Sequence, residues 1–415
     1  MKKTYALVLA LALTVSVGAQ SYFVCDGFNY EQKDIAEGLV LPTDWTEIDS
    51  ITFAAPSYPE IKIVYNGTSA SVTIPENVTG VTCSSETSSH VVLNSVNTAG
   101  REYLYTVSGT SNDGSLTING SYKLTLKLAG ISLKSAKGAA VDIECGKRID
   151  VIVAEGTENT FEDSANGEQK AAFYAKGHVE FKGGGTLNVT GNTKHAIAAK
   201  EYLTLKASLG TLNIHSAVGD GIHCGKGEKG NWENNYFQMN GGTVTISSCG
   251  GDCIDSDDYG CAYIKGGSLT LNVSQQDGNG IKVDSLFVME GGSITANVSG
   301  NISNGIRASY SASFKGGQIT ASLTGNGTRA VRTKNTTSST ATVVGGGNAN
   351  FAGTNLDFTI SGGTNSADAT KTYGLKIDKI LTQTHGQVKM TKTNTAAGYI
   401  KAGTDNWNGG TRELK

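Results

Sequence analysis

The sequence predicts an all-β chain that winds as a right-handed parallel β-helix, a solenoid of stacked coils. Three observations predict it: a double glycine with a fixed step, a second marker in phase with it, and alternation of apolar and polar residues between the markers. The step is 25 residues, and the double glycines are Gly241–Gly242, Gly266–Gly267, Gly291–Gly292 and Gly316–Gly317. The second marker occurs at Gly221–Ile222, Cys253–Ile254, Gly280–Ile281, Gly305–Ile306 and Ala330–Val331. Internal repeats of this length are typical of solenoids.

The residues between the markers indicate β-strands. Apolar side chains occupy every second place after the double glycine, as in Leu269, Leu271 and Val273, and a period of two means a strand with one buried face. A repeat with two or three such strands closes into a coil that stacks on the next at ~4.8 Å. Like positions then form columns, and the glycines mark a turn with positive φ. The alternative, antiparallel hairpins, predicts turns every 8–12 residues, roughly, without a long fixed period.

The pattern divides the chain into four parts. Residues 1–19 are predicted to be a secretory signal peptide, because two lysines precede an apolar run that ends in small residues. We expect an N-terminal cap with irregular first coils over residues 20–110, the parallel β-helix over 111–395, and a C-terminal tail or cap over 396–415. The apolar run is shorter than the ~20 residues of a membrane span. We therefore expect a secreted, periplasmic or cell-surface protein.

The charge balance argues against nucleic acid as a partner. The chain has 34 basic residues (Lys and Arg) and 37 acidic residues (Asp and Glu), so its formal charge is -3, and loss of the two signal-peptide lysines gives 32 - 37 = -5. Nucleic-acid-binding domains instead carry a basic patch or a basic balance. We expect a monomer that binds no nucleic acid.

Acidic residues gather on the outward positions of the middle coils. If the coils stack in register, the carboxylates of Asp220, Asp252, Asp255, Asp257 and Asp284 lie close together. Stacked carboxylates repel one another unless a cation lies between them. Oxygen ligands suit Ca²⁺, which takes about six to eight of them. The sequence therefore predicts calcium at these five residues; the alternative is a solvated acidic patch, since Asp is common in turns.

Basic residues continue the same outward column. His223, Lys282, Arg307 and Arg332 follow the marker at equivalent places on successive coils. Regularly spaced cations on a flat β-face can bind the carboxylates of an extended acidic sugar chain, and Arg does so with two parallel hydrogen bonds. These four residues are the predicted ligand-binding residues. The alternative is ordinary solvated charge on an exposed strand.

One ordered set of motifs resembles a known family. The run VIVAEGTENTFEDSANGEQKAAFYAKGHVEFKGGGTLNVTGNTKHAIAAKEYLTL (151–205), followed by GDGIHC, GDCIDSDD and GNGIKVD, resembles the carbohydrate-binding β-helix proteins of clostridia and Bacteroidetes, in the pectin-lyase-like superfamily. The resemblance covers roughly residues 100–330. It implies a calcium-containing parallel β-helix that binds acidic, pectin-like polysaccharide without established catalysis. Its calcium-binding aspartates map to those of GDGI and GDCIDSDD.

A resemblance to polygalacturonases of the same superfamily leaves an enzymatic alternative open. Their ordered motifs are matched only in part, since their paired aspartate is Gly251–Asp252 here and their histidine is Asn279. Asp220 and Asp255 could act as the acid and base of an inverting hydrolase, which lie ~6.5–9.5 Å apart. A calcium-dependent lyase would need a basic residue such as Lys282 or Arg307 at the sugar proton. We expect non-catalytic binding, with lyase or polygalacturonase-like activity as the alternative.

Overall fold

The computed structural model describes residues 21–26, 29–34, 50–52, 59–85, 88–96, 102–165, 169–225, 235–257, 259–336, 345–367 and 369–415. The predicted signal peptide, residues 1–19, lies outside the described residues. The chain forms two compact units, Met1–Pro59 and Glu60–Lys415. No described residue is helical, so the all-β prediction is confirmed. Accordingly, the described residues contain no helix of the length and apolarity that a bilayer crossing requires.

The described part of the chain contains forty strands. The first unit contains β1 (Ser21–Asp26), β2 (Asn29–Asp34) and β3 (Ser50–Thr52). The second unit begins with β4 (Glu60–Asn66), β5 (Ser69–Thr73), β6 (Val81–Cys83), β7 (His90–Ser95), β8 (Tyr103–Ser111), β9 (Ser115–Gly120), β10 (Leu124–Lys134), β11 (Val141–Glu144), β12 (Ile149–Val153), β13 (Glu158–Glu162), β14 (Ala171–Ala175), β15 (Val179–Lys182), β16 (Thr186–Gly191), β17 (His195–Ala199), β18 (Leu203–Leu205) and β19 (Thr211–Ala217). It continues with β20 (Ile222–Cys224), β21 (Tyr236–Met239), β22 (Thr243–Ile246), β23 (Ile254–Ser256), β24 (Cys261–Ile264), β25 (Ser268–Val273), β26 (Asn279–Val283), β27 (Leu286–Met289), β28 (Ser293–Val298), β29 (Asn304–Ala308), β30 (Ser311–Phe314), β31 (Gln318–Leu323) and β32 (Arg329–Thr333). It ends with β33 (Asn335–Thr336), β34 (Gly345–Gly346), β35 (Asn348–Phe351), β36 (Asn355–Ile360), β37 (Tyr373–Gln383), β38 (Gln387–Lys392), β39 (Gly398–Trp407) and β40 (Thr411–Leu414).

The two units pair their strands differently. In the first, β1 pairs with β2 and with β3, both antiparallel. In the second, each strand from β11 to β29 pairs in parallel with the strand three places later, and β30, β31 and β32 pair with β35, β36 and β37, which gives three parallel ladders. One of them carries the residues of interest and is called the site ladder here: β9, β11, β14, β17, β20, β23, β26, β29, β32, β37 and β39.

The apolar residues of the site ladder stack as the sequence predicts. Ile222 pairs with Ile254, Ile254 with Ile281, and Ile281 with Ile306, and all four side chains are fully buried. Each contributes about 1.5–3 kcal/mol by leaving water, and the column is continuous because the strands pair in register. The predicted alignment of these isoleucines is confirmed.

The double glycines are also explained by their conformation. The second glycine of each pair has positive φ, for example 84° at Gly267. A Cβ atom at Gly267 would lie only 2.6 Å from the carbonyl oxygen of Gly242 on the preceding repeat. Glycine is therefore required here twice over, by the left-handed backbone and by the close approach of the next turn.

Parallel pairing is also present outside residues 111–395, within the segment predicted as an N-terminal cap with irregular first coils and within the predicted C-terminal tail or cap. At the N-terminal end β4 already pairs in parallel with β8, although β5 and β7 pair antiparallel with β4 and β6. At the C-terminal end β39 and β40 pair in parallel with β37 and β38. Parallel strand pairing continues in segments that lack the 25-residue glycine repeat, because backbone hydrogen bonds do not depend on side-chain identity.

Candidate functional site

A column of charged side chains runs along the outer face of the site ladder. Successive strands place the following residues side by side: His223, Asp255, Lys282, Arg307, Arg332, Lys376 and Lys401. We call these seven residues the charged column. Neighbouring strands lie ~4.8 Å apart, so the column is a straight row of closely spaced charges. The predicted alignment of its first five members is confirmed, and the four predicted ligand-binding residues all belong to it.

Lys282 lies at the centre of the aspartates. Its Nζ atom is 3.1 Å from both carboxylate oxygens of Asp255 and 3.6 Å from an oxygen of Asp252 and of Asp257. Burial lowers the pKa of Lys282, but the three carboxylates outweigh burial and raise it above its usual range. Lys282 is therefore a protonated internal counter-ion of the carboxylates. It is a poor candidate for the base of a lyase.

His223 is held by two further carboxylate contacts. Its Nδ1 atom lies 3.2 Å from Oδ2 of Asp220 and 3.7 Å from Oδ2 of Asp255. Burial lowers the pKa of His223, yet the hydrogen bonds to Asp220 and Asp255 prevail and raise it to about 9. Burial acts against the charge of Asp220 too, but its histidine partners hold the pKa of that carboxyl well below its usual range. Both groups are therefore ionised at neutral pH.

Asp252 heads a row of amide hydrogen bonds on the neighbouring position of the ladder. Its Oδ1 atom accepts hydrogen bonds from the backbone N–H and from Nδ2 of Asn279, at 2.9 and 2.7 Å. Asn304 donates in turn to the side-chain oxygen of Asn279 at 2.8 Å. Burial, reinforced by the negative charges of Asp255 and Asp220, raises the pKa of Asp252 to about 6, although the amide of Asn279 acts in the opposite direction.

His195 completes this cluster and was not among the predicted site residues. It lies on β17, directly beside Asp220, and its Nδ1 atom is 3.1 Å from Asp220 Oδ2. Its ring stacks on that of His223, with 4.4 Å between the centroids. Burial lowers the pKa of His195. The sequence does hold a signal: His195 precedes Ile197 by two places, as Asp220 precedes Ile222.

The five predicted calcium ligands come together, but they differ in how their oxygens are engaged. Asp220, Asp252 and Asp255 each bring one oxygen within 4.8 Å of the others, which fits a cation in distance and donor type. Their oxygens also serve Lys282, the histidines and backbone N–H groups, such as that of Asp252, which donates to Asp220 at 2.8 Å.

The two remaining aspartates are less engaged. Asp257 has a side chain that is 43% exposed, and its Oδ1 atom lies 3.6 Å from Nζ of Lys282. Asp284 has no cation within 4.0 Å among the described residues. Burial and the neighbouring charge of Asp257 raise the pKa of Asp284. The residues thus fit calcium at the Asp257–Asp284 edge better than at the position that Lys282 occupies.

The cations on the other half of the column lack an acidic partner at contact distance within the described ranges. No carboxylate there lies within 4.0 Å of Arg307, Arg332 or Lys376, although all three are half-buried. The Nε atoms of Arg307 and Arg332 are buried and donate to no hydrogen-bond acceptor within that same part of the chain. Burial and then Arg307 lower the pKa of Arg332. Burial followed by the charges of Arg332 and Arg329 lowers the pKa of Lys376 to about 8.

Lys376 and Lys401 were not predicted, although the sequence carries a cue. The segment GLKID at 374–378 matches GIKVD at 280–284, residue type for residue type. The spacing concealed it, because the step from Arg332 to Lys376 is 44 residues (376 - 332), not 25. A longer connection between β32 and β37 separates them in the chain without separating them in the ladder.

Comparison with known proteins identifies the family. A family model described as "Carbohydrate-binding domain-containing protein" matches residues 92–411. The chain belongs to this family. A carbohydrate-binding domain-containing protein of Acetivibrio thermocellus is 27% identical over 112 residues, which are 25% of this chain and 39% of that protein. The chain thus matches well under half the length of that relative.

A solved structure is also similar. It is described as "Structure of the polysaccharide lyase-like protein from C. thermocellum, Gadolinium derivative". The match has a TM-score of 0.46 and 19% identity, and it covers 66% of this chain and 94% of the other.

Proposed function

We propose that this protein binds an acidic polysaccharide, without catalysis, along the charged column of its site ladder. The observation that carries the proposal is the row of half-buried cations, Arg307, Arg332 and Lys376, that have no carboxylate within 4.0 Å in the described structure. Membership of a carbohydrate-binding family supports a sugar as the ligand. The lowered pKa values of Arg332 and Lys376 support an anionic one.

The physical argument concerns unpaired charge. A half-buried guanidinium has lost part of its hydration, and like charges on adjacent strands repel it further. A carboxylate from outside supplies the missing hydrogen bonds in a bidentate geometry. Because strands repeat every ~4.8 Å, a linear chain that lies across them meets one cation after another. Each contact is weak, but together they give firm binding, since the contacts after the first are intramolecular.

The proposed setting is that of an exported solenoid. The three parallel ladders and the 25-residue repeat support a right-handed parallel β-helix of the pectin-lyase-like kind. The N-terminal sequence supports a cleaved signal peptide and a secreted, periplasmic or cell-surface location. We propose a monomer, because one chain presents the whole charged column by itself.

Calcium is part of the proposal on the acidic side of the column. We propose that Asp257 and Asp284 hold Ca²⁺ together with carboxylates of the sugar chain. Among the described residues, the five aspartates have two cationic side chains in contact with them, Lys282 and His223, so net negative charge remains there. A shared Ca²⁺ would neutralise it and would let the acidic side of the column also bind an anionic chain.

The enzymatic alternative has less support at these residues. The carboxylates raise the pKa of Lys282 above its usual range, so the residue lacks the free lone pair that a lyase base needs. Asp220 and Asp255, the candidate hydrolase pair, are both engaged with histidine or lysine. The charges of this cluster therefore favour binding over proton transfer.

Affinity electrophoresis of the full chain tests the function. We expect gels that contain polygalacturonate to retard the protein and gels that contain a neutral glucan not to. Arg307→Ala should reduce the retardation, whereas Lys315→Ala, which removes an exposed cation already paired with Glu290 at 2.9 Å, should not. Equal retardation of all three proteins, or none by any acidic polysaccharide, would overturn the proposal.

Two further arms address calcium and catalysis. Removal of calcium with EDTA, or the change Asp284→Asn, should weaken retardation several-fold if Ca²⁺ bridges protein and sugar. Unchanged retardation in both cases would refute the calcium bridge while leaving the cationic contacts intact. Incubation with polygalacturonate should yield no unsaturated product that absorbs in the ultraviolet, and no new reducing ends.

A further inference from the structure

We propose that His195, Asp220 and His223 bind a transition-metal ion of the zinc class. This site goes beyond polysaccharide binding and does not depend on it. The three residues lie side by side at the start of the adjacent strands β17 and β20 of the site ladder. Each offers one donor atom, and the three donor atoms lie within 4.8 Å of one another.

Two histidine nitrogens lie close to one carboxylate oxygen. Oδ2 of Asp220 lies 3.1 Å from Nδ1 of His195 and 3.2 Å from Nδ1 of His223. The two imidazole rings are nearly parallel, with an angle of 14° between their planes. Around a zinc ion with ligands at about 2.0–2.1 Å, tetrahedral geometry separates neighbouring ligand atoms by roughly 3.4 Å. The separations of both nitrogens from Oδ2 are close to this value. Because an imidazole binds a metal with a lone pair in its ring plane, one of the two stacked rings must turn about its Cβ–Cγ bond for both to reach the ion.

One contact in the cluster is unfavourable without a cation. The backbone N–H of Asp220 donates a hydrogen bond to Nδ1 of His195 at 3.2 Å. Oδ2 of Asp220 lies 3.1 Å from the same Nδ1. One nitrogen either accepts from the N–H or donates to the carboxylate, so one of the two contacts is always unsatisfied. A metal ion between Nδ1 and Oδ2 replaces this conflict with two ligand bonds, at the cost of one long hydrogen bond.

The donor set selects the ion. Two imidazole nitrogens and one carboxylate suit Zn²⁺ and its neighbours among the first-row metals. The ion would displace the proton that His223 carries in the metal-free protein and release it to solvent. Ca²⁺ takes about six to eight oxygen ligands, and this triad supplies one. The calcium that we propose at Asp257 and Asp284 is therefore a separate ion.

A fourth ligand and a route from solvent are both at hand. Oδ2 of Asp255 lies 3.7 Å from Nδ1 of His223, within reach of an ion bound to that nitrogen. The side chains of His223 and Asp220 are 24% and 14% exposed, whereas that of His195 is 3% exposed. An ion would thus enter past His223 and be held from below by His195.

Metal titration of the full chain, freed of metal beforehand, tests the site. We expect one Zn²⁺ or Co²⁺ ion to bind per chain, and Co²⁺ to give the visible absorption of a four-coordinate site. His195→Gln should weaken Zn²⁺ binding at least tenfold. The matched control is His178→Gln, which also removes a histidine paired with a carboxylate, Glu201 at 2.9 Å, and it should leave Zn²⁺ binding unchanged.

Several outcomes would overturn the proposal. Equal Zn²⁺ affinity in the wild type and His195→Gln would do so, as would a Co²⁺ spectrum of the six-coordinate aqueous type. If circular dichroism shows that His195→Gln does not fold, X-ray absorption of the zinc-loaded wild type tests the site instead. The proposal requires two imidazole ligands on the zinc ion, and fewer than two would refute it. Retardation by polygalacturonate without added zinc tests polysaccharide binding alone. Failure of the zinc proposal can therefore be distinguished from failure of the proposed function.

Discussion

The charged column has an acidic half and a basic half that share one backbone arrangement and differ in how charge is compensated. In the acidic half, around Asp255 and Lys282, every cation touches a carboxylate at 3.1–3.7 Å. In the basic half, Arg307, Arg332 and Lys376 touch none within the described residues. Both halves lie on parallel strands of the same ladder, so they differ in the identity of the outward residue.

This difference separates stability from function. Charges that are compensated inside the protein stabilise it, and removal of one partner leaves the other buried and unpaired. Charges that are not compensated destabilise the free protein slightly and gain their partner on binding. We therefore expect substitutions in the acidic half to act mainly on folding and those in the basic half mainly on affinity.

The largest expected effect follows from Asp255→Ala. The change leaves the ammonium of Lys282, whose side chain is only 22% exposed, without its two nearest oxygens at 3.1 Å. We expect the free energy of unfolding to fall by about 3 kcal/mol, as measured by urea denaturation. The control is Asp357→Ala, which breaks a more exposed pair with Lys389 at 2.9 Å and should cost far less, because water screens an exposed ion pair. Equal losses would contradict the contrast.

A smaller effect, on affinity rather than stability, is expected for Arg332→Ala. Loss of one charge-assisted contact should weaken binding of polygalacturonate by about 2 kcal/mol, roughly 30-fold. The midpoint of urea unfolding should stay constant or rise, because the repulsion that lowers the pKa of Arg332 is removed. Affinity electrophoresis and denaturation on the same preparation check both statements. A fall in stability comparable to that of Asp255→Ala would show that Arg332 has a structural partner.

The smallest expected effect is a pH dependence at Lys376. Its pKa in the folded protein is lowered to about 8 by burial and by the neighbouring arginines, against ~10.4 in the unfolded chain. Between these values the unfolded chain binds more protons, so stability rises with pH. Affinity for an anionic chain should fall a few-fold over the same range, because the charge of Lys376 is lost.

Stability and affinity are expected to change in opposite directions with pH, so measuring both tests the role of Lys376. Lys376→Met should remove both trends around pH 8 and leave binding weaker but flat. Lys389→Met, which changes a lysine with a nearby carboxylate, should leave both trends in place. If affinity and stability instead move in the same direction with pH, Lys376 is not part of the binding surface.

The alignment of the column was predictable because it depends on short-range regularities. Once Ile254, Ile281 and Ile306 are assigned to one buried column, the residues that follow them must share the outer face. That reasoning correctly aligned Asp255, Lys282 and Arg307. It failed for Lys376, where a longer connection changed the step, and for His195, whose role depends on the two rings that stack across strands.

The sequence by itself determined the all-β class, the parallel alignment and which charges share a face, since a period of two and a recurring glycine and isoleucine marker are visible without any long-range contact. Only the tertiary structure decided which charges neutralise each other. The side chain of Lys282 could extend toward the strand of Arg307 or toward the strand of Asp255. In the structure it extends toward Asp255. Pairing of flexible side chains depends on distances of a few ångströms between strands about 25 residues apart in sequence, which no local pattern encodes.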